Sequence, residues 1–203
     1  MKQAQQSIER LLNNINNIEK YNALDIFARE GNWQSFLINS KVASFEAWEI
    51  NADYIDKLKL NLPSASVYCR DSIQFIRNAS DYKKFNLLVI DNGLNCYGYE
   101  NEYCEHFDVL PYIDNIIEDN CFVIFNVARK PFNYDDNHTW KNRRNEFYKV
   151  EDASDLSIKF LTEFYTKFFN SMGYDVESMY TSCRELHNDD DYLYHFGVQL
   201  KRK

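Results

Sequence analysis

The sequence predicts a Rossmann-like, doubly wound α/β fold. The expected sheet has seven mostly parallel strands, a reversed strand at its C-terminal edge, and helices on both faces. Short apolar runs alternate with helical patterns along most of the 203 residues, which is typical of βαβ units and a parallel sheet. The last two strand-like runs, 174–181 and 192–200, are joined by an acidic turn without a helix, which predicts an antiparallel pair at one edge. A chain of this length fits one domain, spanning 1–203.

The N-terminal half supplies four of the predicted strands. Residues 1–20 form an N-terminal helix in which Ile8, Leu11 and Ile15 recur at helical spacing. Strands follow at 23–28, 41–49, 65–69 and 85–90. Helices separate them at 32–40, from Asn51 or Asp53 to Pro63, and from Asp71 onward, because Asn and Asp favour helix N-caps and Pro ends a helix.

The C-terminal half contains a long charged segment at 129–155. Before it we expect a loop at 92–105, a helix at 106–118 and a strand at 121–127. After it we expect a helix at 156–172. Connections of this length are commonly functional, and here basic residues interleave with aromatic ones. Three interpretations stay open: a lid for an anionic or sugar-like acceptor, a surface for single-stranded nucleic acid, and a charged helix with a few packed aromatic residues.

Composition narrows the function classes. The net charge of −8 disfavours a sequence-independent grip on nucleic acid, which depends on basic side chains. The chain shows no secretory signal and no apolar run long enough to span a membrane, so we expect a cytoplasmic protein without membrane contact. The five scattered cysteines indicate reduced thiols. Cys96, Cys104 and His106 match no zinc spacing, so no metal is predicted.

Acidic residues end four successive predicted strands: Asp25, Glu49, Asp71 and Asp91. In an open parallel sheet, ligands bind past these carboxyl ends. The segment that starts at Asp25 resembles the first motif of class I S-adenosylmethionine-dependent methyltransferases, Asp-x-Phe-Ala-Gly-x-Gly, with Arg29 at the middle glycine. The resemblance covers about residues 20–200. A nicotinamide site would instead need the G-x-G-x-x-G pattern, of which this loop has one glycine.

The resemblance implies roles for the matching positions in binding S-adenosyl-L-methionine. Asp25 would orient the methionine amino group directly or through water, Glu49 would accept hydrogen bonds from the ribose hydroxyls, Asp71 would accept one from the adenine amino group, and Asp91 would lie beside the methyl group. Asp71 also suits a plain helix N-cap. The full cofactor-binding set is Asp25, Phe27, Ala28, Gly31, Glu49, Ile50, Asp71, Ser72 and Asp91.

The candidate catalytic residues are Asp91, Asn92 and His106. His106 is either a base with a pKa near neutrality or an exposed histidine at the start of a helix. Relatives that methylate base nitrogens carry two prolines and an aromatic residue after the first Asn or Asp, which the segment from Asp91 lacks. Metal-dependent relatives carry an Asp before the asparagine that matches Asn126, and here that residue is Phe. His195 is most simply a sheet residue.

The implied function is methyl transfer to a small-molecule or saccharide acceptor. The alternatives are an RNA or DNA methyltransferase and a disabled, scaffold-like relative, and the oligomeric state stays open. Arg29 favours the disabled alternative. A guanidinium buried without a partner is costly, so we expect the Arg29 side chain to lie outside the cofactor pocket. Because a positive φ costs about 1 kcal/mol or more for a residue with a Cβ, we also expect an ordinary right-handed or extended backbone there.

Overall fold

The computed structural model describes residues 2–91, 95–98, 100, 102–131, 134–185 and 191–203. Nine strands are present in these residues, and two of them, β5 and β6, form a small separate hairpin. The strands are β1 Asn22–Asp25, β2 Ser44–Glu49, β3 Ser66–Cys69, β4 Phe85–Ile90, β5 Cys96–Tyr97, β6 Tyr103–Cys104, β7 Ile117–Ala128, β8 Tyr174–Glu185 and β9 Asp191–Arg202.

The main sheet has seven strands in the order β3-β2-β1-β4-β7-β9-β8. Strands β1, β2, β3, β4 and β7 are parallel to one another. Strand β9 runs antiparallel to both of its neighbours, β7 and β8. The expected sheet and its antiparallel terminal pair are therefore confirmed, with the reversed strand inserted between β7 and β8. The strand order changes direction between β1 and β4, which is where ligands bind in doubly wound sheets.

Helices cover both faces of the sheet. One face packs against α1 Lys2–Leu12, α2 Gln34–Asn39 and α3 Ala52–Asn61 through a core that includes Ile8, Leu58 and Phe122. The other face packs against α4 Ser72–Asn78, α5 His138–Tyr148 and α6 Ile158–Ser171. The result is a three-layer α/β/α arrangement. In the described part of the chain, no helix has both the length and the apolar character needed to cross a membrane.

The expected helix at 106–118 is wrong. Residues 105–109 form turns, a 3-10 helix follows at Leu110–Asn115, and β7 already starts at Ile117. Leu110, Ile113 and Ile116 are buried at a spacing of three, which fits three residues per turn. The N-terminal helix is also shorter than expected: α1 ends at Leu12, and a second 3-10 helix occupies Ile18–Lys20.

A disulfide joins the hairpin formed by β5 and β6. Cys96 lies directly opposite Cys104 in the antiparallel pair, with the two Cα atoms 4.0 Å apart. Such close pairs are the positions across two strands where side chains approach most closely. The expectation that all five cysteines are reduced is wrong for these two, and one argument for a cytoplasmic location is lost with it.

Candidate functional site

A row of polar side chains crosses the sheet near the carboxyl ends of its parallel strands. It runs from Asp25 on β1 past Asp91, just after β4, to Asn126 on β7, His195 on β9 and Ser182 on β8. Asn126 pairs with His195 in the strand register, and His195 pairs with Ser182. The side chain of Asp91 is 14% exposed, and the other four residues are buried. Buried polar groups are costly unless they are hydrogen-bonded, so a row of them across the sheet marks a candidate functional site.

Asp25 is fully buried and holds the first loop, residues 26–31. Its Oδ1 accepts a hydrogen bond from the Phe27 N–H (3.1 Å), and its Oδ2 accepts one from the Ser35 hydroxyl (2.7 Å). Burial raises the pKa of Asp25 to about 7; the two hydrogen bonds oppose this rise, and the negative charges of Asp91 and Glu49 add to it. A cation bound nearby would favour the charged carboxylate.

Glu49 connects the end of β2 to the first loop. Its Oε2 accepts a hydrogen bond from the Arg29 N–H (2.8 Å), and its Oε1 accepts one from the Asn51 N–H (2.7 Å). Arg29 has a φ of 50°, so the expectation of an ordinary backbone conformation there is wrong. The left-handed turn aims the Arg29 N–H at a carboxylate, and a charge-assisted hydrogen bond offsets the conformational cost. The Arg29 side chain is exposed, and its guanidinium lies 5.9 Å from the Tyr54 ring centre, which agrees with the expected outward pose.

Gly31 lets the first loop pack closely against α3. Its φ is 71°, and a Cβ at this position would lie 2.5 Å from Cδ1 of Leu58. The Gly31 N–H donates to the Ala28 carbonyl (2.8 Å), and the Ala28 N–H donates to the Trp48 carbonyl (3.0 Å). The matched glycine of the motif is therefore required by both conformation and space.

The loops after β2 and β3 add an apolar and a polar surface at the same edge. Ile50 is 65% exposed. Asp71 caps α4, since its Oδ1 accepts a hydrogen bond from the Gln74 N–H (3.0 Å). The Ser72 hydroxyl donates to the Ile26 carbonyl (2.5 Å), which couples the third loop to the first. The N-cap interpretation of Asp71 is thus confirmed, and a role in binding adenine stays a prediction.

Asp91 lies at the centre of a chain of polar contacts. Its Oδ1 accepts a hydrogen bond from Nδ2 of Asn126 (2.7 Å) and lies 3.5 Å from Nε2 of His195. On the other side of the His195 ring, Nδ1 lies 2.8 Å from the Ser7 hydroxyl, which is 3.3 Å from the Ser182 carbonyl oxygen. Helix α1 thereby contributes to the site. Asn92 lies outside the described residues.

His106 lies on the face of the sheet opposite to the polar row. It is fully buried, its ring packs 5.3 Å from that of Phe125, and its Nε2 lies 2.7 Å from the Tyr165 hydroxyl. Phe125 immediately precedes a member of the row in β7, and successive side chains in a strand face opposite ways. Desolvation, with a smaller contribution from the Arg144 charge, lowers the pKa of His106 to about 3. The expectation of an exposed histidine at the start of a helix is wrong. A role for His106 as base stays a prediction, which its full burial on this face disfavours.

Most basic side chains of the 129–155 segment form ion pairs with acidic side chains of the same protein. The ion pairs are Arg129 and Lys130 with Asp155, Lys141 with Asp135, Arg143 with Asp108, and Arg144 with Glu105. Arg144 and Glu105 are both fully buried, and Arg144 also donates to the carbonyls of Ala128 (2.9 Å) and Ala153 (3.2 Å). This arrangement favours the interpretation of the segment as a charged helix with packed aromatic residues.

Sequence reasoning missed Ser7, Ser35 and His195 as site residues. Asn126 and His195 interrupt apolar strands, which is a visible signal, but only the register of β7 against β9 shows that they are neighbours. Ser7 precedes Ile8 on the buried face of α1, and its partner lies 188 residues away. Among the residues that the structure describes, no group of three or more His, Cys, Asp or Glu is arranged to hold a metal ion.

Comparison with known proteins identifies the fold. No protein-family model and no curated protein matches the sequence. Solved structures do match. The N-methyltransferase NodS from Bradyrhizobium japonicum WM9 shares 10% identity over 96% of this chain and 94% of its own, with a TM-score of 0.58. A SAM-dependent methyltransferase from Leishmania major shares 13% identity over 98% of this chain and 72% of its own, with a TM-score of 0.62. TYW2 from M. jannaschii, in complex with AdoMet, shares 13% identity over 98% of this chain and 77% of its own, with a TM-score of 0.59.

The fold is therefore the Rossmann-like fold of class I S-adenosylmethionine-dependent methyltransferases. Its seven-stranded sheet, its reversed strand and the loops that bear Asp25, Glu49 and Asp91 agree with the sequence resemblance. At these identities the likeness defines the architecture, and the chemistry has to be argued from the site.

Proposed function

We propose that this protein binds S-adenosyl-L-methionine and transfers its methyl group to a small-molecule or saccharide acceptor. The observation that carries the proposal is the group of three carboxylates, Asp25, Glu49 and Asp91, at the point where the strand order reverses. Burial raises the pKa of Asp25, and the negative charges of Asp91 and Glu49 raise it further. Such a site favours a ligand with positive groups, and a sulfonium and an ammonium suit it. It would repel the diphosphate of a dinucleotide, and its first loop has one glycine instead of three.

The residues at the strand ends fit the cofactor part by part. Glu49 keeps one further lone pair on each oxygen beyond its two backbone contacts, so it can accept from ribose hydroxyls. The exposed Ile50 offers an apolar surface to a planar adenine. Asp71 lies on the next loop. Because Asp25 is fully buried, it would act on the methionine amino group through its charge or through water.

When bound, the cofactor supplies an electrophilic methyl group. The contribution of the chain is to hold the acceptor in line with that methyl group, which by positioning alone can account for much of the acceleration. Asp91 is the partly exposed member of the polar row, so it is the group that an acceptor atom would contact. Its orientation is fixed from behind by Asn126.

The two alternatives receive less support. Most basic residues of 129–155 are paired with acids of the same chain, and the net charge is −8, both of which disfavour an RNA or DNA acceptor. The Arg29 side chain is exposed and lies near the Tyr54 ring, which disfavours a disabled relative whose arginine fills the cofactor site.

Calorimetric titration with S-adenosylhomocysteine tests cofactor binding. We expect binding by the wild-type protein and a higher melting temperature with the ligand. Glu49→Ala should weaken binding at least tenfold, since it removes two ribose acceptors and the anchor of the first loop. Glu163→Ala, at an exposed position on α6, is the matched control and should bind normally. No binding at millimolar ligand would overturn the proposal in favour of a scaffold.

The acceptor class is tested with tritiated S-adenosylmethionine. The purified protein is offered a metabolite extract, total RNA and DNA in parallel. We expect label to enter the small-molecule fraction without added divalent metal. Transfer to RNA or DNA instead would select the first alternative, and loss of transfer in EDTA that Mg²⁺ restores would contradict a metal-free mechanism.

A further inference from the structure

We propose that the acceptor is a hydroxyl compound, that Asp91 receives the hydroxyl proton, and that His195 shares this proton as a positioning residue behind Asp91. The inference deepens the proposed function and rests on it. It is carried by the contacts that link Ser7, His195, Asp91 and Asn126 across α1, β9, β4 and β7.

The contacts of Ser7 determine which nitrogen of His195 carries hydrogen. The Ser7 hydroxyl has one hydrogen, and it lies 3.3 Å from the Ser182 carbonyl oxygen and 2.8 Å from Nδ1 of His195. A carbonyl oxygen can only accept, so both contacts are hydrogen bonds at once only if the hydroxyl donates to the carbonyl. In that arrangement the hydroxyl oxygen accepts from Nδ1, which bears the hydrogen. In the neutral ring the other nitrogen, Nε2, presents a lone pair.

That lone pair faces a second acceptor. Nε2 of His195 lies 3.5 Å from Oδ1 of Asp91, both groups belong to a largely buried row, and the same oxygen accepts from Asn126 at 2.7 Å. Two hydrogen-bond acceptors that face each other repel. One proton between them turns this contact into a hydrogen bond. The pair is therefore arranged to take up a single proton at the partly exposed carboxyl of Asp91.

The surroundings of His195 leave Asp91 as its charged partner. The side chains that face it are Ser7 from α1, Asn126 from β7 and Asp91 at the end of β4, and Ser182 of β8 lies opposite it. Of these four neighbours, only Asp91 is ionisable. Asp91 in turn lies close enough to Asp25 for its charge to raise the pKa of that buried carboxyl, so the pair holds its proton beside a second carboxyl.

Methyl transfer to a hydroxyl matches this arrangement. The acceptor oxygen forms a bond to the methyl carbon, the carbon–sulfur bond breaks with its electron pair left on sulfur, and the hydroxyl proton moves to Asp91 and is shared with His195. A neutral amine attacks through its own lone pair before it loses a proton, whereas a hydroxyl gains about 10²–10⁴-fold from a positioned base. The Asp91–His195 pair can hold the proton that a hydroxyl releases, so it favours an oxygen acceptor.

The hydrogen position is tested by nitrogen NMR of the uniformly ¹⁵N-labelled protein at pH 8. Long-range ¹H–¹⁵N spectra distinguish the two tautomers of each neutral histidine, and His195→Gln assigns the signal of interest. We expect the Nδ1–H form for His195 and a loss of that preference in Ser7→Ala. The Nε2–H form in the wild-type protein would overturn the proposal, because Nε2 could then not accept a proton.

Turnover tests the role of the pair. The probes are a hydroxyl set (methyl glucoside, inositol and catechol) and an amine set (benzylamine and pyridine), each with tritiated S-adenosylmethionine. We expect transfer to the hydroxyl set. In His195→Gln, whose amide can donate to Asp91 but cannot take a proton, kcat should fall at least tenfold while the KM for the cofactor changes less than twofold. His138→Gln, at an exposed histidine, is the matched control.

The outcomes separate the two levels of the argument. If S-adenosylhomocysteine does not bind, the proposed function itself fails. If it binds but transfer goes to the amine set alone, or to neither set, the hydroxyl assignment is overturned. Transfer to hydroxyls with an unchanged kcat in His195→Gln overturns the role of His195 and leaves the proposed function standing.

Discussion

Arg29 adopts a backbone conformation that glycine adopts without steric cost, yet its side chain is directed away from the first loop. We expect Arg29→Gly to keep the affinity for S-adenosylhomocysteine within about threefold, because nothing that faces the ligand is removed. The relief of the left-handed conformation, about 1 kcal/mol, is partly offset by the greater freedom of glycine in the unfolded chain, so the melting temperature should change little. Calorimetry and thermal melting measure both.

The matched control is Lys149→Gly, a left-handed position at the end of α5 with a φ of 57°. It should show the same small change in stability and no change in affinity. A hundredfold tighter binding in Arg29→Gly, which is about 2.7 kcal/mol, would mean that the arginine obstructs the site.

Asp25 makes the stability of the fold depend on pH. Its pKa is about 7 in the folded protein, against 3.8 for an unperturbed aspartate. The folded state therefore binds more protons between these values, and the free energy of unfolding falls as pH rises through this window. From pH 5.5 to pH 8 the contribution of Asp25 falls by about 2 kcal/mol. Asp25→Asn should remove it, as urea unfolding at the two pH values would show.

Asp56→Asn serves as the control, since Asp56 is exposed on α3. It should leave the difference in unfolding free energy between the two pH values as it is in the wild-type protein. The same difference in Asp25→Asn as in the wild-type protein would show that burial of this carboxyl has little energetic consequence.

Helix α5 is held to the turns at 105–109 by a buried ion pair between Arg144 and Glu105. Arg144→Met leaves Glu105 buried without its cation, which typically costs 3–5 kcal/mol and should lower the free energy of unfolding by about that amount. Lys141→Met removes a surface pair on the same helix, with Asp135, and should change the free energy of unfolding little, because exposed ion pairs contribute little. Urea unfolding compares the two variants.

The double variant Arg144→Met with Glu105→Gln extends this test. Removal of both charges should recover part of the loss, because no uncompensated charge stays buried. An equal, small loss in Arg144→Met and Lys141→Met would contradict the view that this pair fastens the 129–155 segment to the core.

For the whole molecule, the sequence predicts the sheet well and the site in part. Apolar runs mark all seven strands of the main sheet. Six of these strands have buried residues, whereas β3, at the edge of the sheet, is exposed apart from the half-buried Val67. The acids at the strand ends follow from those strands. The polar row does not, since the pairing of Asn126 with His195 depends on a register between strands far apart in sequence. The disulfide between Cys96 and Cys104 needed the hairpin pairing in the same way.

The insertion of β9 between β7 and β8 also has a consequence for how the chain folds during synthesis. Strand β8 is made first but reaches the sheet only through β9, so the edge of β7 stays open until β9 has left the ribosome. Ser7 and its partner His195 are 188 residues apart in sequence, so their contact also forms only after β9 has been made. Pairings of such high contact order form slowly, and open strand edges invite association with other chains. Chaperone dependence should therefore fall at the moment when β9 docks, and the same event completes the contacts around Asp91.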